Sequence, residues 1–413
     1  MLTNAELIVP TIMQLGLLFI TGASVMADES FFNTDQPNWF EYNLELIAEP
    51  VLGESSGPNN FSASSWIQQI SAGITLGTGL NKNRNDWSEL DHWNVQVEFN
   101  QFTGNPSLNE QLGSVYPLQT LASPIGTWLT QASVERIEGE KQIDWSMKAG
   151  LISIEKDIME IPVLNYYINS SLNTPYNVSI VGQPISPFIA PGTQIGAHHK
   201  QLGTLEYGYY YLNKTQQLAS ALGVNPEIPK LKGNLQILQW SLNPFQAFTD
   251  DTFKTKHSLP DPVIQVGSYL GASKLDISKS ENLGDGVNSG IYGTITLPLA
   301  LPIGQDNRIW MSGSLSLTEE NNPLSNFMAG GILSQGTIPG RPMDVLALGF
   351  NRSRFSQSIT PNKSYEGVVE LNYTIQIFEN LQIQPLIQRI INPSGAKSVQ
   401  SIWAAGAQIN LSL

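Results

Sequence analysis

Read at every second position, the segment Ser398–Leu413 separates into two sets. Val399, Ser401, Trp403, Ala405, Ala407, Ile409, Leu411 and Leu413 are mostly apolar; Gln400, Ile402, Ala404, Gly406, Gln408, Asn410 and Ser412 are mostly small or polar. A β-strand puts such sets on opposite faces. A strand also needs a partner at each edge, which closure of a barrel would supply. The same alternation runs through Trp93–Asn100, Gln142–Leu151, Val368–Phe378 and Leu381–Gln388. In these segments Glu98, Asp144, Lys148 and Glu370 lie on the polar side, opposite Val97, Trp145, Met147 and Leu371. The polar sides are rich in Gln, Asn and Thr and poor in Lys, unlike the solvated faces of soluble sheets.

The connections are uneven. Phe378–Asn380 is a short turn, whereas Asn392–Ser398 and the polar stretch Asn351–Gly367 are longer. Short turns at one end and long loops at the other suit a transmembrane barrel. On that layout the two longer connections face outside and Phe378–Asn380 faces the periplasm. Tyr166–Gly196 has four Pro and no strand period. A segment of this length has to pack somewhere, and the barrel lumen or rim is the available place.

Composition narrows the class. Charged residues are 14% of the chain, against about 25% in typical soluble domains. With 41% hydrophobic residues, a mean hydropathy of -0.11 and no apolar run of 18 residues beyond residue 30, ordinary transmembrane helices are excluded. The remaining choices are an all-β transmembrane antiparallel barrel and a soluble all-β sandwich or β-helix. The net charge of -14 argues against a nucleic-acid partner. No Cys is present, so neither a disulfide framework nor a Cys-ligated metal is expected. The apolar stretch Thr11–Ala27 ends Val25-Met26-Ala27 before Asp28, which predicts a signal peptide over residues 1–27 and one mature domain over 28–413.

The C-terminal third carries more specific marks. They are Gly340, Arg341, Pro342 and Asp344 before a strand, then Glu366 and Glu370. Gln384, Pro385 and Gln388 follow, and then Asn392 and Pro393. In these residues the chain resembles the carbohydrate-selective porins of the OprB type, and a looser likeness extends upstream through Trp128–Met159. The resemblance implies about 16 antiparallel strands, an outer-membrane location, and passive diffusion of sugars or similar small polar solutes, with outer-membrane lipid around the barrel and a possible homo-oligomer. It implies no cofactor and no metal. Some relatives, notably from cyanobacteria, carry an N-terminal surface-layer-homology domain; none is expected before Trp93. Lys148 stands where the family usually has Arg, and Arg389, on the outward parity, stands where an aromatic is common.

A channel for neutral polyols needs donors and acceptors along its wall. Strand parity places Glu98, Lys148 and Glu370 there, and Glu45, Glu135 and Arg308 are further candidates. For each, the plainer reading is a solvated lumen charge without a selective role. The acidic surplus also fits a general, weakly cation-preferring porin. A non-transporting structural barrel and an outer-membrane hydrolase are rarer readings. For the hydrolase, His198 and His199 are the relevant pair, but neighbours in a strand point to opposite faces. Neither a His-Glu-x-x-His pattern nor a Gly-x-Ser-x-Gly elbow occurs.

Overall fold

The computed structural model describes residues 39–55, 61–78, 91–140, 143–155, 158–172, 184–212, 233–244, 259–272, 287–396 and 399–413. The expected signal peptide lies outside them. Sixteen strands run in chain order. They are β1 (Phe40–Ser55), β2 (Phe61–Gly77), β3 (Asp91–Gly104), β4 (Gly126–Glu140), β5 (Ile143–Ile152), β6 (Ala190–His199), β7 (Gly203–Tyr211) and β8 (Asn234–Leu242), then β9 (Val263–Ala272), β10 (Val287–Pro298), β11 (Asp306–Ser316), β12 (Leu324–Gln335), β13 (Val345–Phe355), β14 (Tyr365–Phe378), β15 (Leu381–Ile391) and β16 (Ile402–Ser412). Each pairs antiparallel with its neighbours, and β1 pairs with β16 to close the barrel. Both edges of β16 are therefore satisfied, with Trp403 opposite Arg389 on β15 and opposite Glu54 on β1.

Alternation sets the two surfaces. The outward residues of β3 are Trp93, Val95, Val97 and Phe99, and all are exposed; Asn100 and Phe102, on the other parity, are buried. The same holds for Leu348 and Phe350 on β13 and for Val369 and Leu371 on β14. An apolar outer band over a closed sheet leaves no backbone edge exposed, as a bilayer requires. Among the described residues no helix is long and apolar enough to cross a membrane.

Two expected boundaries shift. The stretch Asn351–Gly367 is loop only from 356 to 364, because β13 continues to Phe355 and β14 starts at Tyr365. Its polar residues still alternate: Asn351 and Ser353 are buried inside while Arg352 and Arg354 are exposed outside. Within Tyr166–Gly196, residues Ala190–Gly196 belong to β6, and 173–183 lie outside the described residues. Connections 356–364 and 392–401 share one end of the barrel, the loop end, and Glu379–Asn380 lies at the other, the turn end.

The interior is not open water throughout. The connection between β3 and β4 carries the short helix α1 (Leu108–Leu112). Its Leu108, Leu112, Tyr116 and Leu118 pack on Val51, Leu324, Phe355, Val368, Ile390 and Ile402 of the barrel wall. The connection between β5 and β6 packs Ile154, Ile158 and Met159 on Tyr210, Leu235, Ile237, Tyr269 and Tyr292. Further on, Val163, Leu164, Tyr167 and Leu172 meet Trp310, Phe327, Leu333 and Val345. Inward apolar residues on β7–β13 thus mark where chain folds back into the barrel.

Candidate functional site: the fastened lumen

Three inward glutamates of the wall hold these two connections. Glu370 on β14 accepts the backbone N–H of Ile168 at 2.9 Å and of Asn169 at 2.7 Å, one on each oxygen. The side-chain amides of Asn372 (2.7 Å) and Gln388 (3.0 Å) complete its shell. Glu366, four residues earlier on the same face of β14, accepts from the Ser114 hydroxyl at 2.7 Å and from the N–H groups of Val115, Tyr116 and Ser394. Glu49 on β1 accepts from the Thr120 hydroxyl, from Leu121 N–H at 3.0 Å and from Gln408 at 2.7 Å. All three side chains are fully buried. A carboxylate with several donors is a strong anchor for a backbone that otherwise has no ladder to join.

Gln388 ties the two connections together. Its amide donates to Leu118 O at 2.9 Å and its oxygen accepts from Asn169 at 3.1 Å. Ser170 N–H and hydroxyl both reach Pro117 O. One cross-strand row carries the seat: Trp310, Gly331, Gly349, Glu370, Gln388 and Ala404 stand opposite one another in turn. The glycines make room for Tyr167. A Cβ on Gly349 would lie 2.5 Å from its ring. Tyr167 donates to Leu348 O at 3.1 Å and accepts from the Trp310 indole at 2.9 Å.

The residues singled out from sequence all sit on inward parity, in three different settings. Glu135 on β4 stands opposite Lys148 on β5, which stands opposite Gln194 on β6. Asn94 extends the row onto β3. Glu98, beside a β-bulge, accepts from Thr130 at 3.2 Å, and Glu45 accepts from Asn410 at 2.8 Å. Lys148 and Glu98 are largely buried, while Glu45 and Glu135 are half-buried. Arg308 and Glu370 differ from the expectation of water-facing charges. Arg308 is fully buried and donates from Nε to Pro260 O at 2.9 Å, with Asp306 as its ion-pair partner, so it holds the chain segment leading into β9. Glu370 holds the β5–β6 connection as described. Sequence reasoning missed Glu49, and it recorded Glu366 only as a motif residue. Their common signal is a carboxylate on an inward strand position beside long connections.

His198 and His199 point to opposite faces of β6. His198 points inward to Ser146 (3.1 Å), Thr204 (2.9 Å) and Asp144 (3.7 Å), and His199 accepts from the N–H groups of Gln201 and Leu202. Among the described residues no group of three His, Asp or Glu could hold a metal ion. At the turn end, Arg341 grips Asp344 through two bonds of 2.8 and 2.9 Å, and that carboxylate raises the Arg341 pKa. Asp344 also accepts from Tyr373 and from Gln376 N–H, pinning the turn to β14.

A closed sixteen-stranded barrel with an apolar outside, a polar inside and two connections fastened within the lumen is an outer-membrane porin. Residues 218–413 match the family model for the carbohydrate-selective porin, OprB family. Over that stretch, just under half of the chain, the sequence is similar to this family of channels. The high-pH structure of Pseudomonas putida OprB matches with a TM-score of 0.71 at 16% identity, covering 91% of this chain and 94% of that one. The low-pH structure of the same protein gives 0.51 at 12%, covering 91% and 93%. Salmonella typhi OmpF in complex with daunomycin gives 0.53 at 9%, covering 91% and 98%. No curated protein sequence matches the chain. The motif blocks Gly340–Ser356 and Tyr365–Ser398 fall within the matched region, and Trp128–Met159 falls before it.

Proposed function

We propose that small sugars and similar polar solutes diffuse passively through a lumen whose width is set by the fastened connections. The row Asn94, Glu135, Lys148 and Gln194, with Glu98 and Glu45 beside it, serves as the hydrogen-bonding wall. The observation that carries this reading is the cross-strand placement of Glu135 and Lys148 on neighbouring strands. Directly opposed residues bring their Cβ atoms within about 5 Å. Opposite charges held together in a lumen leave little net field for an ion while offering donors and acceptors to hydroxyls. Arg308 and Glu370 act on the solute indirectly, through the segments they hold.

The loop end faces outside and Glu379–Asn380 faces the periplasm, in keeping with the lengths of the connections at each end. Residues 1–27 act as a cleaved export signal, leaving Asp28 as the first residue; N-terminal sequencing of outer-membrane material reads this directly. Lipid surrounds the apolar outer face.

Liposome swelling with sugars of graded size, together with salt conductance in planar bilayers, tests the function. Faster entry of sugars than of zwitterionic amino acids of equal size supports it. Equal entry of both, with a preference for cations, supports a general diffusion porin, the reading that the net charge of -14 favours.

A further inference from the structure

Among the described residues, the outer face of the strands carries four arginines: Arg136, Arg352, Arg354 and Arg389. Arg136 lies near the turn end, stacks on Trp93 and has Glu138 at 3.4 Å. The other three lie together at the loop end, on β13 and β15, and no described carboxylate forms an ion pair with any of them. Glu54, the nearest outward carboxylate by register, stands beyond Trp403 on β1.

The setting of the three is specific. Arg352 stacks on Tyr365 with 4.4 Å to the ring centroid, and Arg389 stacks on Trp403 at 5.2 Å. A stacked guanidinium keeps its N–H edge available for an anion. Arg352 stands opposite Gly367 on β14, and Arg389 stands opposite Val369. Gly367 is buried, with the Tyr365 ring 3.8 Å from where its Cβ would lie, so the Tyr365–Arg352 stack covers the strip between β13 and β15, strands about 10 Å apart at ordinary spacing. Just toward the turn end the outer face turns apolar through Phe350, Leu348, Val369, Leu371 and Ile387. The three cations therefore sit at the upper margin of the apolar band, at headgroup depth. The protein as a whole carries a net charge of -14, so three unneutralised cations in one patch run against its global field.

We propose that Arg352, Arg354 and Arg389 form a binding patch for the phosphates of a phosphorylated glycolipid in the outer leaflet. Phosphate accepts the bidentate guanidinium fork, and more than one phosphate lets β13 and β15 be bridged by one headgroup. The acyl chains of such a lipid lie along the apolar band below. This assignment rests on the loop end facing outside, which thiol labelling at position 362 tests separately.

The test uses the full-length mature protein in mild detergent, with lipid binding measured by native mass spectrometry and thermal shift. The probes are bisphosphorylated lipid A, the same glycolipid after dephosphorylation, phosphatidylglycerol, and inorganic phosphate. The wild type should bind bisphosphorylated lipid A at least tenfold more tightly than the variant Arg352→Gln/Arg354→Gln/Arg389→Gln. The dephosphorylated lipid should bind both proteins equally weakly. Arg136→Gln, at the other rim, should bind like the wild type. An unchanged single-channel conductance establishes that the triple variant is folded; if it is not, Arg352→Gln and Arg389→Gln alone should each weaken binding two- to threefold. Equal lipid A binding by wild type and variants overturns the proposal. So does binding of inorganic phosphate or phosphatidylglycerol as tight as that of lipid A.

Discussion

The carboxylate of Glu370 accepts the backbone N–H of Asn169 at 2.7 Å, across 201 residues of sequence. A glutamate on an inward strand position thereby ends as the anchor of a chain segment rather than as a charge in open water. The other family-type marks behave alike. Glu366, Gln384 and Gln388 all bind the inward connections, and Ser394, next to Asn392-Pro393, bonds to Glu366 and to Gly113 O. Arg341 and Asp344 lock the turn end. The motif by which the family resemblance is read is thus mostly a set of fasteners.

Gly349→Ala should loosen the seat of Tyr167. The added methyl meets the ring at 2.5 Å, an overpacking that costs about 1–3 kcal/mol and is relieved by displacing the loop rather than the wall. Single-channel conductance should rise. Gly313→Ala, where the nearest atom is 3.4 Å away, should leave it unchanged.

Lys148→Glu should raise cation preference, because it sets two like charges directly opposite at Glu135. Reversal potentials in a salt gradient should shift toward cation selectivity, because the substitution changes the lumen charge from positive to negative at that position. Lys148→Arg should keep the wild-type ratio.

Asp344→Ala should destabilise the barrel without altering conduction. It strips the acceptor from the Gln376 N–H and the Tyr373 hydroxyl, a loss of about 2 kcal/mol. The urea midpoint of unfolding should fall, while conductance steps stay at the wild-type size.

Asn362→Cys reads orientation. Asn362 is exposed in the loop between β13 and β14, and the chain has no other Cys to compete. An impermeant maleimide should label it on intact cells. Labelling only after lysis would reverse the assigned orientation.

Much of the barrel was legible in the chain. A period of two with Gln, Asn and Thr on one side reports both the strand and its inward face, as β3, β5, β14 and β15 bear out. Parity correctly turned Glu98, Lys148 and Glu370 inward. It could not tell which inward residues are covered, because cover comes from contacts far away in sequence. Arg308 meets Pro260, and Glu370 meets Asn169, and neither partner has a strand period of its own. A clue was present in the apolar inward positions Trp310, Phe327 and Leu333. Apolar side chains on a water-filled wall require something to pack on them. The extra turns of β13 and β14 escaped for a related reason: Arg352 and Arg354 look like loop residues, yet at the barrel rim an outward arginine is tolerated.

The central claim is that glutamate-fastened connections set the width of the channel. Single-channel recording of Glu370→Ala and of the isosteric Glu370→Gln, with folding checked by heat-modifiable migration, tests it most directly. Gln removes one of the two acceptors used by Ile168 and Asn169, and Ala removes both, leaving buried N–H groups that cost about 1–3 kcal/mol each. Conductance should rise from wild type to Gln to Ala, and discrimination between small and large sugars should fall in the same order. Folded variants with wild-type conductance and wild-type sugar discrimination would contradict the claim.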